Sequence, residues 1–164
     1  MENAAPFTDI VKQRIKKAQR LAIVGIGDEL IPMDRLGMSA ARWIEQRHLP
    51  DVKVFFAGTV PESITGPLRK YQPEHVLFLD AAEMGELPGT IAVIAPGQIQ
   101  ASLLSTHALP LTVVMDYVEE EIGTDVTLIG IQPDSRDPEK DLSDEDESYL
   151  EKNLRQLLTT LKNR

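Results

Sequence analysis

The sequence predicts a layered α/β fold with a mostly parallel sheet. Two observations carry this. Short, unbroken apolar runs recur along the chain, as strands buried on both faces require. Between them lie longer stretches whose apolar residues return at helical spacing. At 164 residues the chain suits one domain, residues 1–164, with residues 1–20 as a helical N-terminal extension.

The elements follow in order. Phe7 to Arg20 reads as a basic amphipathic helix, with Val11, Ile15 and Ala18 on one face. Leu21 to Val24 is a buried strand ending at Gly25. Ile26 to Met33 is a loop, supported by Pro32. Asp34 can cap a helix running to about Arg47, with Met38, Ala41 and Ile44 inward. Val52 to Phe56 is the second strand, and Pro61 opens a helix to about Tyr71. His75 to Leu79 is the third strand, ending at Asp80, and Thr90 to Ile94 is the fourth. Ile99 to Leu104 is a short helical piece. Leu109 to Glu121 is a further helix, with Pro110 in its first turn. Asp125 to Ile131 is the fifth strand. Pro133 to Ser143 is a polar loop, and the last helix starts at Ser143 or Asp144 with a leucine stripe to Leu161.

Composition narrows the function classes. There are 17 Lys and Arg against 26 Asp and Glu, a net charge of −9, which disfavours nucleic acid and anionic membranes. There are no cysteines, so disulfide scaffolds, thiolate metal sites and cysteine nucleophiles are excluded. No apolar run approaches the ~20 residues of a membrane span. The start, Met1-Glu2-Asn3, lacks signal-peptide features, so a soluble, cytoplasmic protein is expected, and a monomer is expected separately. The acidity is uneven. Residues 71–135 hold ten acids and no Lys or Arg, a field that favours a cation or a basic peptide segment.

In such folds ligands bind beyond the carboxyl ends of the strands. Gly25 and Gly27 follow the first strand, but Leu30 stands where a dinucleotide fingerprint needs its third glycine. Walker, HExxH and GxSxG patterns are absent. Asp34 alone reads as a helix cap, Asp80 as a strand-end acid, and Glu83 as a second acid or a solvated loop charge. His48 and His75 read as surface and rim residues; His107 lies in a loop before a helix. Together, Asp34, Asp80 and His107 each follow a different element. Two carboxylates and an imidazole make a candidate divalent metal site with open positions. No separate nucleophile declares itself; Glu29 and Glu83 are the candidate bases.

The segment Gly25-Ile26-Gly27-Asp28-Glu29-Leu30-Ile31-Pro32-Met33-Asp34-Arg35-Leu36-Gly37 resembles the opening GxGNxLxxD(D/E)xxG of the nickel–iron hydrogenase maturation proteases. Gly58-Thr59-Val60-Pro61-Glu62, Leu77 to Gly85, Thr106 to Leu111 and Leu128 to Pro133 resemble further family segments in the right order. The subtype that processes formate-hydrogenlyase large subunits is the nearest. The resemblance implies a three-layer α/β/α fold with a five-stranded mixed sheet. It also implies an endopeptidase that removes the C-terminal extension of a hydrogenase large-subunit precursor. Nickel, presented by that precursor, would be read by Asp34, Asp80 and His107. Four positions depart from the pattern: Asp28 for Asn, Met33 for an acid, Arg35 for a small residue and Phe56 for an acid. Met33 and Phe56 remove two carboxylates, and Arg35 adds a cation able to pair with Asp34. These bear on activity. A non-catalytic binding module for a metalloenzyme precursor is therefore the alternative, and a small-molecule hydrolase or phosphorylase is a third reading.

Overall fold

A computed structural model describes residues 6–102 and 105–164, with side chains at 100, 101 and 105–109 outside that description. Five strands form one sheet: β1 (Leu21–Ile26), β2 (Val52–Gly58), β3 (His75–Ala81), β4 (Ile91–Ile94) and β5 (Asp125–Ile131), in the order β2-β1-β3-β5-β4. All neighbours are parallel except β4, which runs antiparallel to β5. The helices are α1 (Phe7–Ile15), α2 (Leu36–Glu45), α3 (Thr65–Tyr71), α4 (Ile99–Ser102), α5 (Ser105–Tyr117) and α6 (Asp144–Lys162). The expected three-layer α/β/α architecture with a five-stranded, mostly parallel mixed sheet is the one observed.

The central strands explain the unbroken apolar runs. Every residue of β1 and of β3 is buried. Alternate residues serve opposite layers, as the two-residue period of a strand demands. Leu21 and Ile23 of β1, with Leu77, Leu79 and Ala81 of β3, pack under α1, α2 and α6. Ala22, Val24, Ile26, Val76 and Phe78 pack under α3 and α5. The edge strand β2 has only two buried residues, Phe55 and Ala57, because one side of it is open.

Several boundaries differ from expectation. Helix α1 stops at Ile15 rather than Arg20. The Glu74 carboxylate accepts from the backbone N–H groups of Gln19 and Arg20 and draws the chain into β1. With Val11 and Ile15 fully buried, α1 belongs to the main core. Strand β1 runs on to Ile26, and β3 to Ala81, so Asp80 lies inside the strand. Pro61–Ile64 is a 3-10 turn before α3. Helix α5 begins at Ser105 with Pro110 in its sixth position, and Val118–Ile122 closes it as a π turn. Leu103 and Leu104 of the expected helical piece lie outside the described residues.

Topology decides what meets at the carboxyl edge of the sheet. Strand β4 is short and pairs only with the carboxyl half of β5, Ile91 opposite Ile131 and Ile94 opposite Leu128. The chain then returns: Ser102 accepts a hydrogen bond from the N–H of Glu83 at 2.7 Å. Helix α5 starts three residues later. Its beginning therefore lies at the same edge as the loops after β1 and β3.

Candidate functional site

Asp34 sits in a 3-10 turn, Pro32–Asp34, between β1 and α2. It does not cap α2: the N-cap is Arg35, with no side-chain bond. Its buried carboxylate turns back instead, and Oδ2 accepts from the N–H of Asp28 at 3.1 Å. Asp28 continues the construction, since its Oδ1 accepts from the N–H of Leu30 at 2.9 Å. Asp therefore supplies the turn chemistry expected of Asn here, because only an acceptor is needed.

Two glycines make the loop possible. Gly27 has φ +133, and a Cβ there would lie 1.9 Å from the carbonyl oxygen of Asp34. A Cβ on Gly37 would lie 2.2 Å from the oxygen of Leu79 and 2.5 Å from that of Ile26. Side-chain-free backbone thus lets α2 start directly on the ends of β1 and β3 and seats Asp34 beside them.

Asp80 is fully buried, paired in register with Gly130 of β5. Its place in the alternation sends it to the layer of Val76 and Phe78, where α5 packs. His107 is in the first turn of α5 rather than in a loop before it, and its side chain lies outside the described residues. The carboxyl edge thus receives Asp34, Asp80 and the backbone of His107. Among the described residues no three His, Asp or Glu side chains stand close enough to hold a metal ion.

The candidate bases are both engaged. Glu29 pairs with Arg42 of α2. Glu83 donates its backbone N–H to Ser102, and its carboxylate accepts from Gln132 Nε2 at 3.0 Å and from the Gly85 N–H at 3.2 Å. Burial pushes the Glu83 carboxyl up, but hydrogen bonds from Ser135, Gln132 and Gly85 outweigh it and hold the pKa below its ordinary value. A carboxylate held this way is a weak proton acceptor near neutrality. Gln132 organises the whole β3–β4 loop, since its Oε1 also accepts from the N–H groups of Met84 and Glu86. Sequence reading missed this buried amide; its only signal was a lone polar residue closing an apolar strand.

The departures from the family pattern find local partners. The Arg35 guanidinium pairs with Asp141 and donates to the Glu29 carbonyl. The N–H of Met33 reaches the Pro138 carbonyl at 3.4 Å. Together they strap the first loop to the loop after β5. Phe56 packs on the main core, with the Arg42 guanidinium 5.2 Å from its ring centre. His75, read as a rim residue, is buried at the other edge, where Nε2 and Thr127 Oγ1 are 2.8 Å apart.

The uneven charge also resolves into places. Of the ten acids in residues 71–135, Asp80, Glu83, Glu86 and Asp134 serve the carboxyl edge. Glu74, Asp116, Glu119, Glu120, Glu121 and Asp125 lie toward the amino edge, so the stretch as a whole does not point at the site. Burial and the neighbouring Asp116, Asp125 and Glu120 push the Glu119 carboxyl up.

Comparison with known proteins gives one consistent answer. The family model described as Hydrogenase maturation protease matches residues 38–160, which include Asp80 and His107; Asp34 lies just before the match. A relative from Methanocaldococcus jannaschii that carries this family's name is 30% identical over 133 residues, 76% of this chain and 79% of the relative. The Hydrogenase 3 maturation protease of Escherichia coli K12 is 38% identical over 82 residues, 49% of this chain and 52% of that protein. The crystal structure of a NiFe hydrogenase maturation protease, HycI, from Thermococcus kodakarensis superposes with a TM-score of 0.78 at 30% identity. That match covers 94% of this chain and 99% of the other. The chain belongs to the hydrogenase maturation protease family, and it is an endopeptidase of that family.

Proposed function

We propose that this endopeptidase removes the C-terminal extension of a nickel–iron hydrogenase large-subunit precursor once nickel has been inserted. Asp34, Asp80 and His107 would contact that nickel. The observation that carries the reading is the pair of buried carboxylates, Asp34 and Asp80, at the carboxyl edge of a chain belonging to this family. Burying a carboxylate is costly, and a fold keeps one where a partner or a ligand compensates. Two carboxylates with one imidazole suit a borderline divalent ion and leave positions for groups from the substrate.

Nickel bound there would polarise the scissile carbonyl or lower the pKa of a water. The chain's own part is positional. The Asp28 N–H holds Asp34 at a fixed rotation, and strand backbone on β3 fixes Asp80. Glu29 and Glu83, already paired or hydrogen-bonded, serve to shape the rim rather than to take up a proton. Nothing specific favours the non-catalytic binding module, because the replaced positions find local partners: Asp28 holds Asp34, Arg35 pairs with Asp141 and Phe56 packs on the core.

The test uses a nickel-loaded large-subunit precursor and mass spectrometry of the product. The intact protein is expected to shorten it at one site and to leave nickel-free precursor uncut. Asp80→Asn and His107→Ala should each slow cutting at least about 100-fold. A loaded precursor left whole, or undiminished cutting by His107→Ala, would overturn the reading.

A further inference from the structure

The carboxyl edge displays apolar side chains that the core does not use. Leu30 is 89% exposed, Ile31 46%, Val60 47% and Leu87 71%. Among the described residues these are four of six large exposed hydrophobics; the others, Val113 and Tyr149, sit on helices. They come from the loops after β1, β2 and β3, which are adjacent in the sheet with strands about 4.8 Å apart. A shared patch at one edge differs from single exposed leucines scattered over a surface.

The loops that carry them are braced. Leu30 follows the Asp28 turn, and the Ile31 N–H bonds the Asp28 carbonyl at 3.1 Å. The Gly27 N–H bonds the Gly58 carbonyl at 2.9 Å and ties the first loop to the second. The Val60 N–H bonds the Ala57 carbonyl at 3.1 Å. Gln132 clamps the third loop on either side of Gly85, next to Leu87. Apolar side chains held outward on braced loops lose little freedom when covered, which is what a docking surface needs.

The surrounding charge selects the occupant. The carboxyl-edge loops, residues 27–35, 59–64, 82–90 and 132–143, hold ten acids and three basic side chains. All three basic groups are paired with acids of the same edge: Arg35 with Asp141, Arg136 with Asp134, and Lys140 with Asp137. Exposed apolar side chains on loops with an excess of acids fit a protein face that combines apolar residues with Lys and Arg.

We propose that Leu30, Ile31, Val60 and Leu87 form the docking surface for the hydrogenase precursor, which meets it with an apolar segment flanked by basic residues. This rests on the processing role proposed above and adds how the substrate is held. The four side chains contribute to holding the precursor and leave the bond-breaking step alone.

The probe is a nickel-loaded large-subunit precursor, with binding read by titration and cutting read as KM and kcat. The variant Leu30→Ser with Leu87→Ser is expected to raise KM and the dissociation constant about tenfold or more, with kcat within about twofold. Raised salt should weaken binding by the intact protein. Val113→Ser, also exposed, at 60%, but away from this edge, should change neither. Unchanged binding in the double variant, or an equal loss in Val113→Ser, overturns the docking surface. If the intact protein cuts nothing, the processing role fails, and the titration still decides docking: binding lost in the double variant supports it, and no binding by the intact protein overturns it.

Discussion

The two edges of the sheet put their polar groups to opposite uses. At the amino edge every named group closes the fold. Thr127 joins His75 to Arg14, whose Nη1 donates to Oγ1 at 3.3 Å. The Thr124 hydroxyl donates to the Pro73 carbonyl at 2.8 Å. Arg164 donates to the carbonyls of Ala18, Gln19, Pro50, Asp51 and Leu161, fastening the end of α6 to two turns. A cleft there is lined by Lys16, Lys17, Arg20, Lys162 and Arg164 together with Asp51 and Glu74. At the carboxyl edge, carboxylates are buried while leucines face water. That inversion separates the edge that stabilises the molecule from the edge proposed to meet a substrate.

This contrast can be broken by acid. Burial outweighs the nearby Asp125 and holds the His75 pKa down at about 4, against 6.5 for a free histidine. Between those values the unfolded chain takes up a proton that the fold refuses. Stability should therefore be complete above pH 6.5 and fall as pH drops toward 4, by roughly 3 kcal/mol at most. Urea midpoints at pH 7 and pH 4.5 measure this, and His75→Gln should flatten the difference. A slope that survives His75→Gln would assign the acid sensitivity to another group.

A smaller effect sharpens the same contrast. Thr127→Val leaves buried His75 without its hydroxyl partner and should cost about 1–2 kcal/mol. Cutting per folded molecule should stay within about twofold of the intact protein. Loss of cutting at full stability would mean that the two edges are coupled. The smallest expected change is Arg35→Gln at the carboxyl edge. Its pair with Asp141 is partly exposed, so the thermal midpoint should move by less than ~1 kcal/mol equivalent. Cutting should persist, measured with the same precursor, because Arg35 is occupied by Asp141 and the Glu29 carbonyl.

What could be read from the sequence divides along the line between local and distant partners. Strands β1 and β3 were legible because burial on both faces writes an uninterrupted apolar run. Helix α6 was legible because its leucine stripe and the Ser143 cap, whose Oγ accepts from the Asp146 N–H at 3.1 Å, are local. His75 was not. Its partner Thr127 lies 52 residues away, and a histidine at a strand start looks like a rim residue until that hydroxyl is in place. Asp34 followed the same rule at shorter range: an acid before a helix suggests a cap, but its acceptor serves Asp28, six residues back. The start of α5 was placed late because Pro110 favours a first turn, whereas the helix tolerates it farther in at the loss of one rung. The positions proposed as site residues were readable as types. The braced loop that displays Leu87 was not, because a buried glutamine after β5 does much of the bracing.

The close approach at Gly27 and Gly37 reaches beyond this one chain. With a carbonyl oxygen within 2.2 Å of where either Cβ would be, neither position can drift even to alanine while the loop keeps its shape. Ten residues apart, the pair is a mark that can be read in any related genome sequence. A relative with side chains at both places has abandoned this way of seating an acid at position 34, however well the rest of its sheet aligns.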